Sequence, residues 1–126
     1  MNNAIGSLRI FVVVRQDYYW VNVLFNSAVE EKYYNQVAEY LHRANYGMNN
    51  GNFEFDFEDG GVRYKTFVNF DGVQLSDDVV TDSILIPIFM FDKYGKNLLR
   101  LMLGEGNPKE LIEEAEKEAL EAVDAS

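Results

Sequence analysis

The chain has 126 residues, 48% hydrophobic and 14% aromatic, with 21 acidic against 11 basic side chains and a formal charge of -10. A chain of this size buries roughly two-thirds of its unfolded surface and has no room for a second domain, so 1–126 reads as a single domain. The charge opposes nucleic acid, whose phosphates need a basic stripe, and opposes anionic membrane surfaces for the same reason.

Cysteine is absent, which removes disulfides, thiolate metal sites and thiol nucleophiles together. The N-terminal stretch MNNAIGSLRIFVVVRQDYYW lacks a basic n-region and a small-residue cleavage site, and its apolar run 10–14 is too short for a signal peptide. The run 84–91 is far short of a membrane span. A soluble, cytoplasmic protein is the expectation.

In chain order, 8–15 and 18–25 read as a first hairpin about Gln16-Asp17, rich in β-branched and aromatic residues. Pairing across that loop sets Val14 with Tyr19, Val12 with Val21, Ile10 with Val23 and Leu8 with Phe25, an apolar face expected to be core. The other face pairs Val13 with Trp20, Phe11 with Asn22 and Arg9 with Leu24, closed by Arg15 with Tyr18. It is greasy for a solvent surface, so either another element covers it or it is a contact site.

Ser27 to Glu30 has the spacing of a capping box, and behind it Val29, Tyr33, Val37, Tyr40, Leu41 and Ala44 recur every three or four residues, predicting a helix that stops near 45–47. A second hairpin follows, with strands near 52–59 and 62–70. Phe53, Phe55 and Phe57 alternate with Glu54, Asp56 and Glu58, and Val62, Tyr64, Thr66, Val68 and Phe70 share a face on the return. With Asp59-Gly60 as the loop, Phe57 faces Val62, Phe55 faces Tyr64, Asp56 faces Arg63 and Glu54 faces Lys65; a Gly60-Gly61 loop keeps nearly the same matching. Phe55 and Tyr64 should then be buried together, with Asp56 and Arg63 on the wetter face.

Asp71-Gly72 turns the chain, and Ser76 caps a helix that should run to Gly104 with Asp77 and Asp78 in its first turn. Pro87 within ILIPIFMF must kink or split that helix, and the same eight residues could be a buried strand. The cap and the spacing of Tyr94, Leu98, Leu101 and Met102 favour the kinked helix. Asn107-Pro108-Lys109-Glu110 then opens a last helix with Leu111, Ile112, Ala115 and Ala119 inward. Residues 105–126 hold eight acids and two lysines, net -6, a solvated helix face.

Nothing here composes a reaction site. His42, the sole histidine, has no partner set for a metal or a triad. Asp56, Glu58 and Asp59 lack calcium-loop spacing, and the segment from Gly104 to Lys109 follows a helix instead of a strand and lacks the ending of a phosphate loop. No catalytic, cofactor-binding or metal-binding residue is assigned, and no cofactor is expected.

The stretch VAEYLHRANYGMNNGNFEFDFEDGGVRYKTFVNFDGVQLSDD, followed by DKYGKNLLRLMLGEGNPKELIEEAE, resembles the YbjN family, whose fold is similar to type III secretion chaperones. The likeness is carried by Asn45, Gly51, Phe53, Asp59-Gly60, Tyr64, Ser76, Tyr94, Gly104 and Pro108, and it extends over about 8–118. It implies an α+β domain with an antiparallel sheet built from two hairpins and packed by two to three helices. It also implies a bacterial, chaperone-like or regulatory protein-binding module, a homodimer in many cases and without catalysis. An immunity or adaptor-type interaction protein is the alternative, and a small hydrolase using carboxylates a more distant one. Family members usually carry a helix before the first hairpin, whereas here seven residues precede Leu8. Phe11, Val13, Trp20 and Leu24 are therefore expected to meet a second copy, a partner, or the C-terminal helix of the same chain folded back.

Overall fold

The computed structural model describes residues 6–124 and the backbone of residues 2 and 3. Strands β1 (Asn2–Asn3), β2 (Gly6–Val14), β3 (Tyr18–Phe25), β4 (Asn52–Phe55) and β5 (Val62–Asn69) form one antiparallel sheet in the order β1-β2-β3-β5-β4. Helices α1 (Tyr34–Asn45), α2 (Asp77–Met102) and α3 (Pro108–Asp124) complete the α+β fold. α1 packs on β4, α2 lies across β3 and β5, and α3 packs on α1 and α2. The core between sheet and helices includes Val21, Val23, Phe53, Tyr64, Tyr40 and Phe91. No helix among the described residues is long and apolar enough to cross a membrane.

The first hairpin takes the expected register at every pair from Leu8 with Phe25 to Val14 with Tyr19. Its inner face is buried on β3 at Tyr19, Val21, Val23 and Phe25, but on β2 the burial fades from Leu8 outward, and Val14 is 64% exposed. The expectation of a wholly buried face fails at Val12 and Val14 because β2 lies towards the sheet edge, beyond the strands that α2 crosses.

The second hairpin keeps its faces and changes its register. Phe55 pairs with Val62, Glu54 with Arg63 and Phe53 with Tyr64, two residues further in than the Asp59-Gly60 loop would place them. Strand β4 therefore ends at Phe55, not near 59, and the charge pair is Glu54 with Arg63 at 2.6 Å, in place of Asp56 with Arg63. The cause is local competition for backbone groups. Asp56 Oδ1 accepts from the Glu58 N–H at 2.7 Å, Asp59 Oδ1 accepts from Gly61 N–H at 2.8 Å, and the Gly60 N–H returns to the Asp56 carbonyl at 2.8 Å. Gly60 sits at φ +76°, and its carbonyl accepts from the Val29 N–H at 2.9 Å. A Cβ at residue 60 would strike the Val29 carbonyl oxygen. Phe53 is buried, Phe55 is half-buried and Phe57 is out in solvent.

That docking of Val29 also explains why the Ser27 capping box does not form. The Ser27 hydroxyl bonds Asn26 at 3.5 Å, a 3-10 turn occupies Glu31–Tyr33, and the α-helix starts at Tyr34. At its far end Asn45 brackets the edge strand: its Oδ1 accepts from Phe53 N–H at 2.7 Å while its Nδ2 donates to the Phe53 carbonyl at 2.9 Å. An open edge is thereby occupied by a side chain.

Helix α2 begins as expected, Ser76 Oγ accepting from the Val79 N–H at 3.2 Å. It continues through Pro87 as one element, so 84–91 is helix and not strand. Proline at 87 cannot donate to the carbonyl of residue 83. The Thr66 hydroxyl donates to that Ser83 carbonyl at 2.6 Å, and Thr66 and Ser83 are both 1% exposed. The sheet thus supplies the bond that the helix cannot. Gly104, at φ +82°, ends the helix, with the Glu105 N–H reaching back to the Arg100 carbonyl. Asn107 Oδ1 then caps α3 through the Glu110 N–H at 2.9 Å.

Candidate functional site: the open face of the sheet

Alternation fixes what the helix-free face presents. On β2 it carries Arg9, Phe11 and Val13; on β3 Tyr18, Trp20, Asn22 and Leu24; on β5 Arg63, Lys65 and Phe67; on β4 Asn52 and Glu54. Strand pairing lines these up in rows. One row is Val13-Trp20-Phe67, the next Phe11-Asn22-Lys65-Asn52, and the next Arg9-Leu24-Arg63-Glu54. Phe11 is 50% exposed and Phe67 54%, because α3 packs on α1 and α2 and does not fold back over this side.

The aromatic side chains support one another. Tyr18 stacks on Trp20 with ring centres 6.0 Å apart and 14° between planes, and Tyr18 meets Phe67 at 5.5 Å. Cations rest on the rings: Arg15 and Lys65 both lie 5.5 Å from the Trp20 ring, and Arg9 lies 5.7 Å from Phe11. Glu54 is held by Arg63. Among the described residues no carboxylate is within ion-pair distance of Arg9, Arg15 or Lys65. In a chain with almost twice as many acids as bases, this face has the opposite sign to the whole.

Asn22 sits in the middle of the face at 9% exposure, and its Oδ1 is buried without a hydrogen-bond donor. Leaving a buried acceptor unpaired costs about 1–3 kcal/mol, so the position is unfavourable for the isolated chain. At the Arg9-Leu24-Arg63 end the face runs into a cleft of about 940 Å³, whose other wall includes Ser27, Phe57 and Asp59. The cleft is mixed in sign.

All four residues expected at an interface, Phe11, Val13, Trp20 and Leu24, share this face. Tyr18 was expected on it too, opposite Arg15, but Phe67 and Lys65 were not anticipated there, because the pairing of β3 with β5 joins segments far apart in sequence. Asn22 was legible as the polar residue inside an apolar strand, opposite Phe11, but its burial was not.

Elsewhere the perturbed titratable groups are three tyrosines bonded to neighbouring elements. Burial pushes the Tyr64 phenol up to about 12, and its hydroxyl donates to the Asn50 carbonyl at 2.6 Å. Burial also raises Tyr40 and Tyr94, the neighbouring Tyr94 adding to the effect on Tyr40 and Glu116 to that on Tyr94; Tyr40 donates to the Tyr94 carbonyl and Tyr94 to Glu116. Such phenols hold their protons. His42 is exposed on α1, and among the described residues no group of three or more His, Asp or Glu could hold a metal ion. Comparison of the chain with family models, with curated proteins and with solved structures finds no match.

Proposed function

We propose that this chain is a non-catalytic protein-binding module, chaperone-like or regulatory in the manner of the YbjN family, acting in the cytoplasm through the open face of its sheet. The observation that carries this reading is the contiguous aromatic cluster of Phe11, Tyr18, Trp20 and Phe67 on the sheet face that no helix covers. Tryptophan and arginine are the residues that concentrate binding energy in protein interfaces, and here Arg15 already rests on Trp20. The buried tyrosines and turn-bound carboxylates are spent on structure, which supports binding over chemistry.

Affinity capture from the source cell, run in parallel with wild type and a correctly folded Trp20→Asp variant, tests the reading. Proteins retained by wild type and lost by the variant are the expected result. An identical set for both would place the binding surface elsewhere.

A further inference from the structure

The geometry points to a specific occupant for this face: an extended peptide segment about seven residues long, apolar in the middle and acidic at both ends. This inference deepens the protein-binding reading and rests on it.

The length comes from the cations. Arg9 and Arg15 flank the aromatic surface along one strand direction, and six residues of strand cover about 20 Å. Between them lie Phe11, Val13 and Trp20, with Lys65 beside the centre. A segment with carboxylates about six residues apart would meet Arg9 at one end and Arg15 at the other. Its apolar side chains would lie on the rings.

Charge decides against the other occupants. A second copy packed face to face would set Arg9, Arg15 and Lys65 of one chain against the same three of the other, a like-charge contact. A single-stranded nucleic acid carries a phosphate at every residue and would be repelled by a molecule of net charge -10. A peptide needs acids only where the cations stand.

The probe is the acetylated, amidated peptide Glu-Ser-Leu-Ser-Phe-Ser-Glu, which puts its apolar side chains and two acids six residues apart on one face, titrated against the full chain while the fluorescence of Trp20, the one tryptophan, is followed. The controls are the same peptide with lysine at each acid, and oligothymidylate. Saturable binding of the acidic probe, weakened by salt, and loss of most of it in Arg15→Glu/Lys65→Glu with a gain for the lysine peptide, are the expected results.

Equal binding of the acidic and lysine peptides, preference for oligothymidylate, unchanged affinity in Arg15→Glu/Lys65→Glu, or a wild type that sediments as a dimer and ignores the acidic probe would each overturn the inference. Should the acidic probe fail while Trp20→Asp still strips proteins from the capture, the segment chemistry is wrong and the binding module stands. If the capture also shows no difference, both fall.

Discussion

Replacing Thr66 with valine should destabilise this protein by more than its size suggests. The substitution keeps the β-branched shape, so it opens no cavity, and it removes one hydroxyl. That hydroxyl donates at 2.6 Å to the Ser83 carbonyl, the group that Pro87 leaves without a helical donor, and both residues are 1% exposed. No water can replace the bond without a cavity, so the cost is that of an orphaned buried carbonyl, about 2 kcal/mol. At an unfolding entropy near 2.1 cal/mol/K per residue, that lowers Tm by roughly 8 °C. The partner test is Pro87→Ala, which restores an N–H able to reach the Ser83 carbonyl from within α2. In that background Thr66→Val should cost about 1 kcal/mol less, a coupling read from a double-mutant cycle of urea denaturation curves followed by Trp20 fluorescence and helical circular dichroism. A cost for Thr66→Val below about 0.5 kcal/mol, or one of equal size in both backgrounds, would refute the claim that the sheet repairs the proline-containing helix.

Gly60→Ala should destabilise by about 2 kcal/mol, since it adds a clash with the Val29 carbonyl to the strain at φ +76°, while Gly72→Ala, at a similar φ with open space around it, should cost about half as much; equal costs in chemical denaturation would show that the docking of Val29 on the turn carries no energy. Asn45→Ala removes both bonds to Phe53 and should accelerate hydrogen exchange at the Phe53 amide well beyond that at Tyr64 in the sheet interior, with a loss of about 1–2 kcal/mol; unchanged protection would mean the bracket is not what shields the edge. Tyr64 ionises near 10 when unfolded and is pushed up to about 12 when folded, so its contribution to stability is complete below pH 10 and is lost as pH rises through 10 towards 12. Stability measured over that range should therefore fall with pH, and less steeply in Tyr64→Phe than in wild type; parallel slopes would remove Tyr64 as a cause.

What the sequence made legible was local, and what it hid was mostly long-range. Every pair of the first hairpin was readable because a two-residue loop leaves one register that keeps Leu8, Ile10, Val12 and Val14 together. The same reasoning recovered the faces of the second hairpin and missed its register, because Asp56 and Asp59 bind turn amides and lengthen the loop. The Ser27 cap was a plausible start overridden by a tertiary bond from Val29 to Gly60. Pro87 was correctly placed inside a helix, but its compensating donor lies 21 positions earlier in the chain at Thr66, where no local pattern points. The part of the candidate face on β2 and β3, Phe11, Val13, Trp20 and Leu24 with Arg9 and Tyr18, followed from alternation within one hairpin. Lys65 and Phe67 joined it through the pairing of β3 with β5, and Asn22 became notable only once its burial was known.

The central claim is that the open sheet face is where this protein meets its partner. A photo-crosslinking amino acid placed at position 67 on that face, and separately at position 117 on α3, reports contact directly in the source cell. The account predicts a discrete protein adduct from position 67 that disappears when Trp20→Asp is added, and none from position 117. Adducts of equal yield from both positions, or from 117 alone, would contradict it.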